Sequence, residues 1–110
     1  MNVFSVKRGD TGPALVFALS PASVVLSGAT VVANMRNRKT GAVKISRAAA
    51  TVVTATGSPT VKYTWGASDL DTAGTYDFEF EVTYSDASVE TFPNDPRSPF
   101  ITINITDDIA

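Results

Sequence analysis

The sequence predicts an all-β domain, a two-sheet antiparallel sandwich of seven to nine strands. The first observation is a strict alternation from position 76 to position 84, where every second residue is aromatic or aliphatic. Successive side chains of a strand point to opposite faces, so this segment is a long strand with one buried and one polar face. The second observation is that turn residues recur about every 8 to 12 positions without a helical period between them. The polar positions of the alternating strand are Asp77, Glu79, Glu81 and Thr83.

Turn residues delimit the strands in the first half of the chain. Segments 9–13, 37–41 and 56–59 are predicted turns, because glycine supplies positive φ and proline fixes φ. The strand at 14–19 is nearly all apolar, which predicts that both of its faces are covered. The strands expected here cover positions 2–8, 14–19, 29–36, 42–45, 48–54 and 61–65.

The second half contains three further predicted strands, 75–85, 88–92 and 100–106, with a tight hairpin turn at 86–87. Segment 93–99 carries three prolines and is therefore a loop, since proline cannot donate to a strand ladder. We expect an exposed apolar contact with a partner at this loop. The candidate contact residues are Phe92, Pro93, Pro96, Pro99 and Phe100.

The alternation also predicts the core between the two sheets. A strand that is half buried places its apolar residues on one face, where they meet the apolar face of the opposite sheet. The expected core residues are Val61, Tyr63, Trp65, Tyr76, Phe78, Phe80, Val82, Ile101 and Ile103.

Composition limits the chemistry that is available. The 110 residues form a single domain, 1–110, which is 44% hydrophobic and only 18% charged. The low charge content suggests that a partner covers part of the surface. Cysteine and histidine are absent, which removes disulfides, thiolate metal sites and the commonest general base. We expect a protein that is not an enzyme, with no catalytic residues, no cofactor and no metal.

The charges are distributed unevenly. Residues 1–62 carry eight of the nine Lys and Arg and one acid, whereas residues 63–110 carry one arginine and ten acids. One interpretation is that neighbouring strands interleave the two signs, so that the charges pair across a sheet. The other is a bipolar domain whose basic end meets the acidic end of a neighbour. A pI of about 4.8 argues against a nucleic-acid partner.

Three sets of residues have an alternative chemical interpretation. Glu79 and Glu81 are two positions apart, a spacing that approaches that of glycosidase acid pairs, but a solvated strand face explains them better. Asp69, Asp71 and Asp77 offer oxygen ligands without the spacing of a calcium loop, and Asp71 is expected to bond to loop backbone. Tyr63 and Trp65 are either a carbohydrate-stacking platform or core residues, and the core interpretation is favoured.

Membrane segments are not expected. The first nine residues lack the apolar run of a signal peptide, and no window approaches the roughly 18 apolar residues of a membrane span. We therefore expect no membrane partner, and a chain that is made and kept in the cytoplasm or leaves the cell by another route, such as lysis.

Several segments in order resemble one known group. These are Phe4-x-Val-Lys-Arg-Gly-Asp-Thr11, Leu26-Ser-Gly-Ala-Thr-Val31 with Met35-Arg36, Tyr63-x-Trp65, Asp71-Thr-Ala-Gly-Thr-Tyr76, Phe80-Glu-Val82 and Glu90-Thr-Phe-Pro93. Their order is similar to the immunoglobulin-like amino-terminal domain of tailed-phage baseplate upper proteins and related small phage tail and virion proteins. The Gly-x-Tyr segment that ends at Tyr76 also resembles the tyrosine corner of immunoglobulin-like sandwiches.

The resemblance implies an immunoglobulin-like sandwich with a structural role in a virion. Baseplate upper proteins continue into further segments after this domain, whereas this sequence stops at Ala110. A free-standing adaptor in the tail or baseplate region is therefore expected, with a stand-alone capsid decoration protein or a carbohydrate-binding module for host attachment as alternatives. The implied partners are other virion proteins in a homo-oligomeric or symmetric assembly, and the implied location is the virion.

Overall fold

A computed structural model describes residues 3–19, 25–57, 59–93 and 99–107. In these ranges the chain forms nine strands and no helix. The strands are β1 (Val3–Lys7), β2 (Leu15–Ala18), β3 (Thr30–Asn37), β4 (Val43–Ala49), β5 (Thr51–Thr54), β6 (Thr60–Tyr63), β7 (Gly74–Thr83), β8 (Val89–Phe92) and β9 (Ile101–Thr106). The expected all-β class and strand number are confirmed.

The strands form two sheets that pack as a sandwich. The larger sheet has the order β1-β9-β7-β3-β4, with β8 also paired to β7, and the smaller sheet has the order β2-β6-β5. The expectation of a purely antiparallel sandwich needs one correction, because β1 pairs with β9 in parallel.

Strand β7 organises the larger sheet. Strand β3 pairs with β7 along its length, from Thr30 opposite Thr83 to Asn37 opposite Tyr76. On the other side, β9 pairs with the first half of β7 and β8 with the second half. The chain therefore leaves the sheet after Phe92 and returns at Ile101, beside the middle of β7.

The core lies between the sheets and is centred on Phe78, whose side chain is fully buried. Its ring centroid lies 5.1 Å from that of Phe80, 5.7 Å from that of Tyr63 and 5.6 Å from that of Trp65. Aromatic pairs at such separations stabilise a core beyond the area that they bury. All nine residues that the alternation assigns to the core are buried: Val61, Tyr63, Trp65, Tyr76, Phe78, Phe80, Val82, Ile101 and Ile103.

The predicted corner at Tyr76 is present. The Tyr76 hydroxyl donates to the backbone carbonyl of Thr72 at 3.0 Å. Gly74 precedes it with φ 150°, a conformation that side chains rarely adopt. The hydroxyl thus ties the loop before β7 to the strand that follows it.

The expected separation of strands 42–45 and 48–54 is wrong, because β4 runs without a break from Val43 to Ala49. Strand β4 continues through Arg47 to Ala49, and β5 then begins at Thr51 in the other sheet. Arg47 has φ 53°, and the β3–β4 register shifts on both sides of Met35. Such irregularities bend a strand and raise its twist, which lets the chain cross between the sheets instead of turning back.

Strand β2 is covered on one face only, which corrects the expectation from its apolar sequence. Leu15 is buried, whereas Val16 is 57% exposed. The reason is that β2 is an edge strand of the smaller sheet, whose outer face has no layer packed on it among the described residues.

Candidate docking site

The outer face of the larger sheet carries acids on β7 and bases on β3 and β4. All ion pairs found within the described ranges join a base of residues 1–62 to an acid of residues 63–110. They are Arg8–Asp107, Arg36–Asp77, Arg38–Asp77, Lys44–Asp71 and Arg47–Glu81. The antiparallel pairing of β3 with β7 puts Arg36 directly opposite Asp77. This arrangement supports interleaved charges rather than two ends of opposite sign.

Asp77 is held by two arginines. Its side chain is 8% exposed, and its carboxylate accepts from Arg36 Nε at 3.3 Å and from Arg38 Nε at 2.7 Å. Arg38 also donates from Nη2 to Thr102 Oγ1 at 2.8 Å. A buried carboxylate is stable only when it is paired and hydrogen-bonded, so Asp77 fixes both guanidinium groups against the sheet.

Phe100 is positioned by the same network. The guanidinium carbon of Arg36 lies 5.0 Å from the centroid of the Phe100 ring, within the range of a cation–π contact. Arg36 is in turn bonded to Asp77. The contacts Asp77–Arg36–Phe100 therefore hold an aromatic ring at the point where the chain re-enters the sheet.

A cavity of about 230 Å³ opens beside this ring. We call it the outer cavity. It lies where the β3–β4 register shifts, and its lining combines apolar side chains with one arginine and two acids. The lining residues are Asn34, Met35, Arg36, Val43, Ile45, Ser46, Asp77, Glu79 and Phe100.

Glu79 differs from the other acids of β7. Asp77 is paired with arginines and Glu81 with Arg47, whereas the Glu79 carboxylate has no ion pair or hydrogen bond to any residue that the structure describes. Asp77 and Glu79 are the two acids among the residues that line the outer cavity, so Glu79 and Glu81 do not act as an acid pair there. The cavity therefore contains one carboxylate that no base within residues 3–19, 25–57, 59–93 and 99–107 neutralises.

The candidate contact residues are placed differently from the expectation. Phe92 is fully buried and lies opposite Phe80, and Pro93 is also buried, so these two offer no surface to a partner. The reason is that β8 ends inside the sheet rather than in the loop. Pro96 lies outside the described residues. Pro99 is exposed and Phe100 is half-buried against the outer cavity.

The carbohydrate platform is contradicted. Trp65 and Tyr63 are 4% and 6% exposed, and their polar atoms are used internally. Trp65 Nε1 donates to the Pro13 carbonyl at 3.1 Å, and the Tyr63 hydroxyl donates to Asp69 Oδ2 at 2.6 Å. Burial, together with the Asp69 carboxylate, raises the pKa of Tyr63 above its ordinary value. Both rings are core residues, as the favoured interpretation predicts.

The aspartates proposed as calcium ligands are dispersed. Asp69 accepts from Tyr63 and from the Gly66 amide, and Asp77 accepts from arginines. Asp71 pairs with Lys44 and Thr72 rather than mainly with loop backbone, and the Lys44 hydrogen bond lowers the pKa of Asp71. In the described part of the chain no three acids, histidines or cysteines are grouped as metal ligands.

Comparison of the chain with protein-family models, with curated proteins and with solved structures finds no match. In the part of the chain that the structure describes, no helix has the length and apolarity needed to cross a membrane.

Sequence reasoning identified Phe100 but not the outer cavity. The alternation marks Glu79 and Asp77 as outward-facing, yet the cavity depends on which residues of β3 and β4 lie beside them. That information is the strand register, which a single sequence does not specify for strands far apart in the chain.

Proposed function

We propose that this protein is a non-enzymatic structural component of a tailed-phage virion, an adaptor in the tail or baseplate region that docks on other virion proteins. The observation that carries the proposal is the outer cavity, an open site next to exposed Pro99 and half-buried Phe100. The sequence resemblance to phage baseplate upper domains and the sandwich of two sheets support the same role. The alternative is that the protein is a stand-alone capsid decoration protein.

The chemistry of the site favours docking over catalysis. Asp77, a buried acid of the outer cavity, is paired with two arginines, so its oxygens are engaged within the protein. Histidine, the commonest general acid or base, is absent from the sequence. The other acid of the cavity, Glu79, has no ion pair to a described residue and is suited to recognising a positive charge.

The direct test is quantitative mass spectrometry of purified particles from the source phage, with copies counted relative to the major capsid protein. Copy numbers in small multiples of about three or six indicate a tail, neck or baseplate component, because these structures have closed rotational symmetry. Copies on the order of hundreds indicate a capsid decoration protein. Absence from the particle overturns the virion proposal.

A variant at the cavity tests whether docking uses this face. Phe100→Ala removes the ring that is held by Arg36 but leaves the fully buried core intact. We expect lower incorporation into particles with a folded monomer. Val89→Ala is the matched control, because Val89 is 57% exposed on β8 and does not line the cavity. Equal incorporation of both variants contradicts docking through this face.

A further inference from the structure

We propose that the outer cavity binds a lysine or arginine side chain of a partner protein. The inference deepens the proposed function. It rests on that function in one respect, because it assumes that the partner is a protein. It is carried by three properties of the cavity: its volume, a carboxylate that has no ion pair among the described residues, and the apolar side chains beside that carboxylate.

The volume suits one side chain. The outer cavity measures about 230 Å³, below the roughly 300–1,000 Å³ of clefts that enclose whole small molecules. One water molecule takes up about 30 Å³ in the liquid, so the cavity holds more than isolated waters. An extended oligosaccharide or a nucleotide exceeds this space, whereas a single long side chain fits it.

The charge of the lining favours a cation. The lining contains one base, Arg36, and two acids, Asp77 and Glu79. Arg36 is engaged by Asp77 and lies over Phe100, while Glu79 has no charged partner in the described residues. An entering cation converts Glu79 into a charge-assisted pair in a partly enclosed site, which is stronger than a neutral hydrogen bond. An entering anion meets an unpaired carboxylate and is disfavoured.

The apolar lining favours a cation on a hydrocarbon stem over a bare ion. The apolar lining residues with accessible side chains are Val43 and Phe100, whereas Met35 and Ile45 are 1% and 4% exposed and belong to the core. Lysine and arginine place their methylene chains along apolar surface while the charged head reaches a polar partner. Val43 is 67% exposed, so burial of its side chain by such a stem adds a hydrophobic contribution.

The same arrangement explains why Glu79 is unpaired. The neighbouring outward-facing acids each have an arginine from β3 or β4, because β3 lies directly beside β7 and β4 lies on the far side of β3. Opposite Glu79 the register places Asn34, whose side-chain oxygen accepts from the Arg47 amide at 2.8 Å. Among the described residues the sheet supplies no base at this position, which leaves the carboxylate open to the base of a partner chain.

The test is a titration of the ¹⁵N-labelled protein with Nα-acetyl-arginine amide and with Nα-acetyl-lysine amide, followed by NMR chemical shifts. Nα-acetyl-citrulline amide is the neutral control, because it keeps the shape of arginine without its charge. We expect the two cationic probes to shift backbone amides at the cavity, and citrulline to bind at least about tenfold more weakly. Equal binding of citrulline, or shifts spread over the surface, overturns the proposal.

A pair of variants separates the cavity from general surface charge. Glu79→Gln removes the unpaired carboxylate, and Glu81→Gln makes the same change two positions along the same face, outside the cavity. We expect Glu79→Gln to weaken the cationic probes about tenfold and Glu81→Gln to leave them unchanged. Equal weakening by both variants overturns the proposal. Both measurements use the purified protein, so failure here is distinct from absence of the protein from the particle.

Discussion

Asp77 shows how one residue positions a surface. Its carboxylate is buried on the outward face of β7, yet it accepts from two arginines that are each about half exposed, with side chains 52% and 48% accessible. Every buried side-chain nitrogen or oxygen in the described residues has a hydrogen-bond partner. Asp77 therefore contributes to stability through its pairs, and it also fixes the ring of Phe100 through Arg36.

Replacement of Asp77 is expected to destabilise the fold. Asp77→Asn leaves two guanidinium groups facing a neutral amide, and we expect the free energy of unfolding to fall by about 1–3 kcal/mol. The measurement is urea unfolding at neutral pH. Glu81→Gln is the control, because the Arg47 side chain that it releases is 62% exposed, and we expect a change within about 0.5 kcal/mol. Equal losses in both variants contradict a special role for Asp77.

Tyr63 makes the stability of the protein depend on pH in the alkaline range. Burial and the hydrogen bond to Asp69 raise the pKa of Tyr63 above the ordinary value of about 10. The unfolded chain therefore loses this proton first as the pH rises. The stabilisation is complete below about pH 10 and is lost progressively as the pH rises toward the folded-state pKa.

The comparison of wild type with Tyr63→Phe isolates this effect. We expect the stability advantage of the wild type in urea unfolding to shrink above about pH 10. Tyr84→Phe is the companion variant, since burial and Glu90 raise the pKa of Tyr84 to about 12. Its difference from wild type is expected to stop changing above about pH 12. A constant difference between wild type and Tyr63→Phe across pH 8–11 contradicts the raised pKa.

Among the strands, those predicted correctly are the ones whose local sequence pattern is sufficient to define the strand and its buried face. Strand β7 alternates strictly, so its buried face was evident from the sequence. The crossing from β4 to β5 was not, because its left-handed residue is Arg47 rather than glycine. The sequence does not indicate a left-handed conformation at a residue other than glycine when tertiary contacts impose it. Here the side-chain oxygen of Asn34 accepts a hydrogen bond from the Arg47 amide.

The outer cavity was unpredictable for a related reason. Its arginine–aspartate contact joins Arg36 and Asp77, which are 41 positions apart and meet only through the β3–β7 register. Phe100 was identified from its neighbouring prolines, but the same argument included Phe92, which is buried. Composition around a proline-rich loop does not distinguish the residue that ends one strand from the residue that begins the next.

The hairpin between β7 and β8 offers a stabilising substitution. Ala87 has φ 71°, and its amide donates to the Tyr84 carbonyl at 2.9 Å within the turn. A left-handed conformation costs a residue with a Cβ atom about 1–2 kcal/mol, whereas glycine adopts it freely but loses about 0.5–1 kcal/mol in entropy. We expect Ala87→Gly to raise the free energy of unfolding by about 0.5–1 kcal/mol.

The matched control for this turn is Ala49→Gly. Ala49 is an exposed alanine in β4 without positive φ, so glycine there brings only the entropic cost. We expect that variant to lower the melting temperature while Ala87→Gly raises it. If both substitutions lower the melting temperature, the turn is not strained by its alanine.

At the scale of the whole molecule, the uneven charge distribution has a simple structural result. The basic first part supplies β3 and β4, the acidic second part supplies β7, and the fold places them side by side. The ion pairs within the described ranges connect these two parts. Part of the separated charge is therefore satisfied within the domain, and Glu79, which has no ion pair among the described residues, is available to a partner.

Trp65 connects the two sheets and reports on their association. Its ring lies 5.7 Å from Phe4 on β1, 5.6 Å from Phe78 on β7 and 5.2 Å from Tyr63 on β6, measured between ring centroids. The smaller sheet has three strands of four residues each, and its buried face is covered by the larger sheet. Separation of the sheets exposes this aromatic cluster, so we expect both to unfold in one cooperative transition.

The prediction is tested by urea unfolding followed in parallel by Trp65 fluorescence and by far-ultraviolet circular dichroism. The two midpoints are expected to coincide, because Trp65 loses its contacts when the strands separate. Phe78→Leu reduces the shared aromatic contact, and we expect it to lower both midpoints by the same amount, with a loss of about 1–3 kcal/mol. A fluorescence midpoint below that of circular dichroism means that the smaller sheet detaches first, and the sandwich is then not a single cooperative unit.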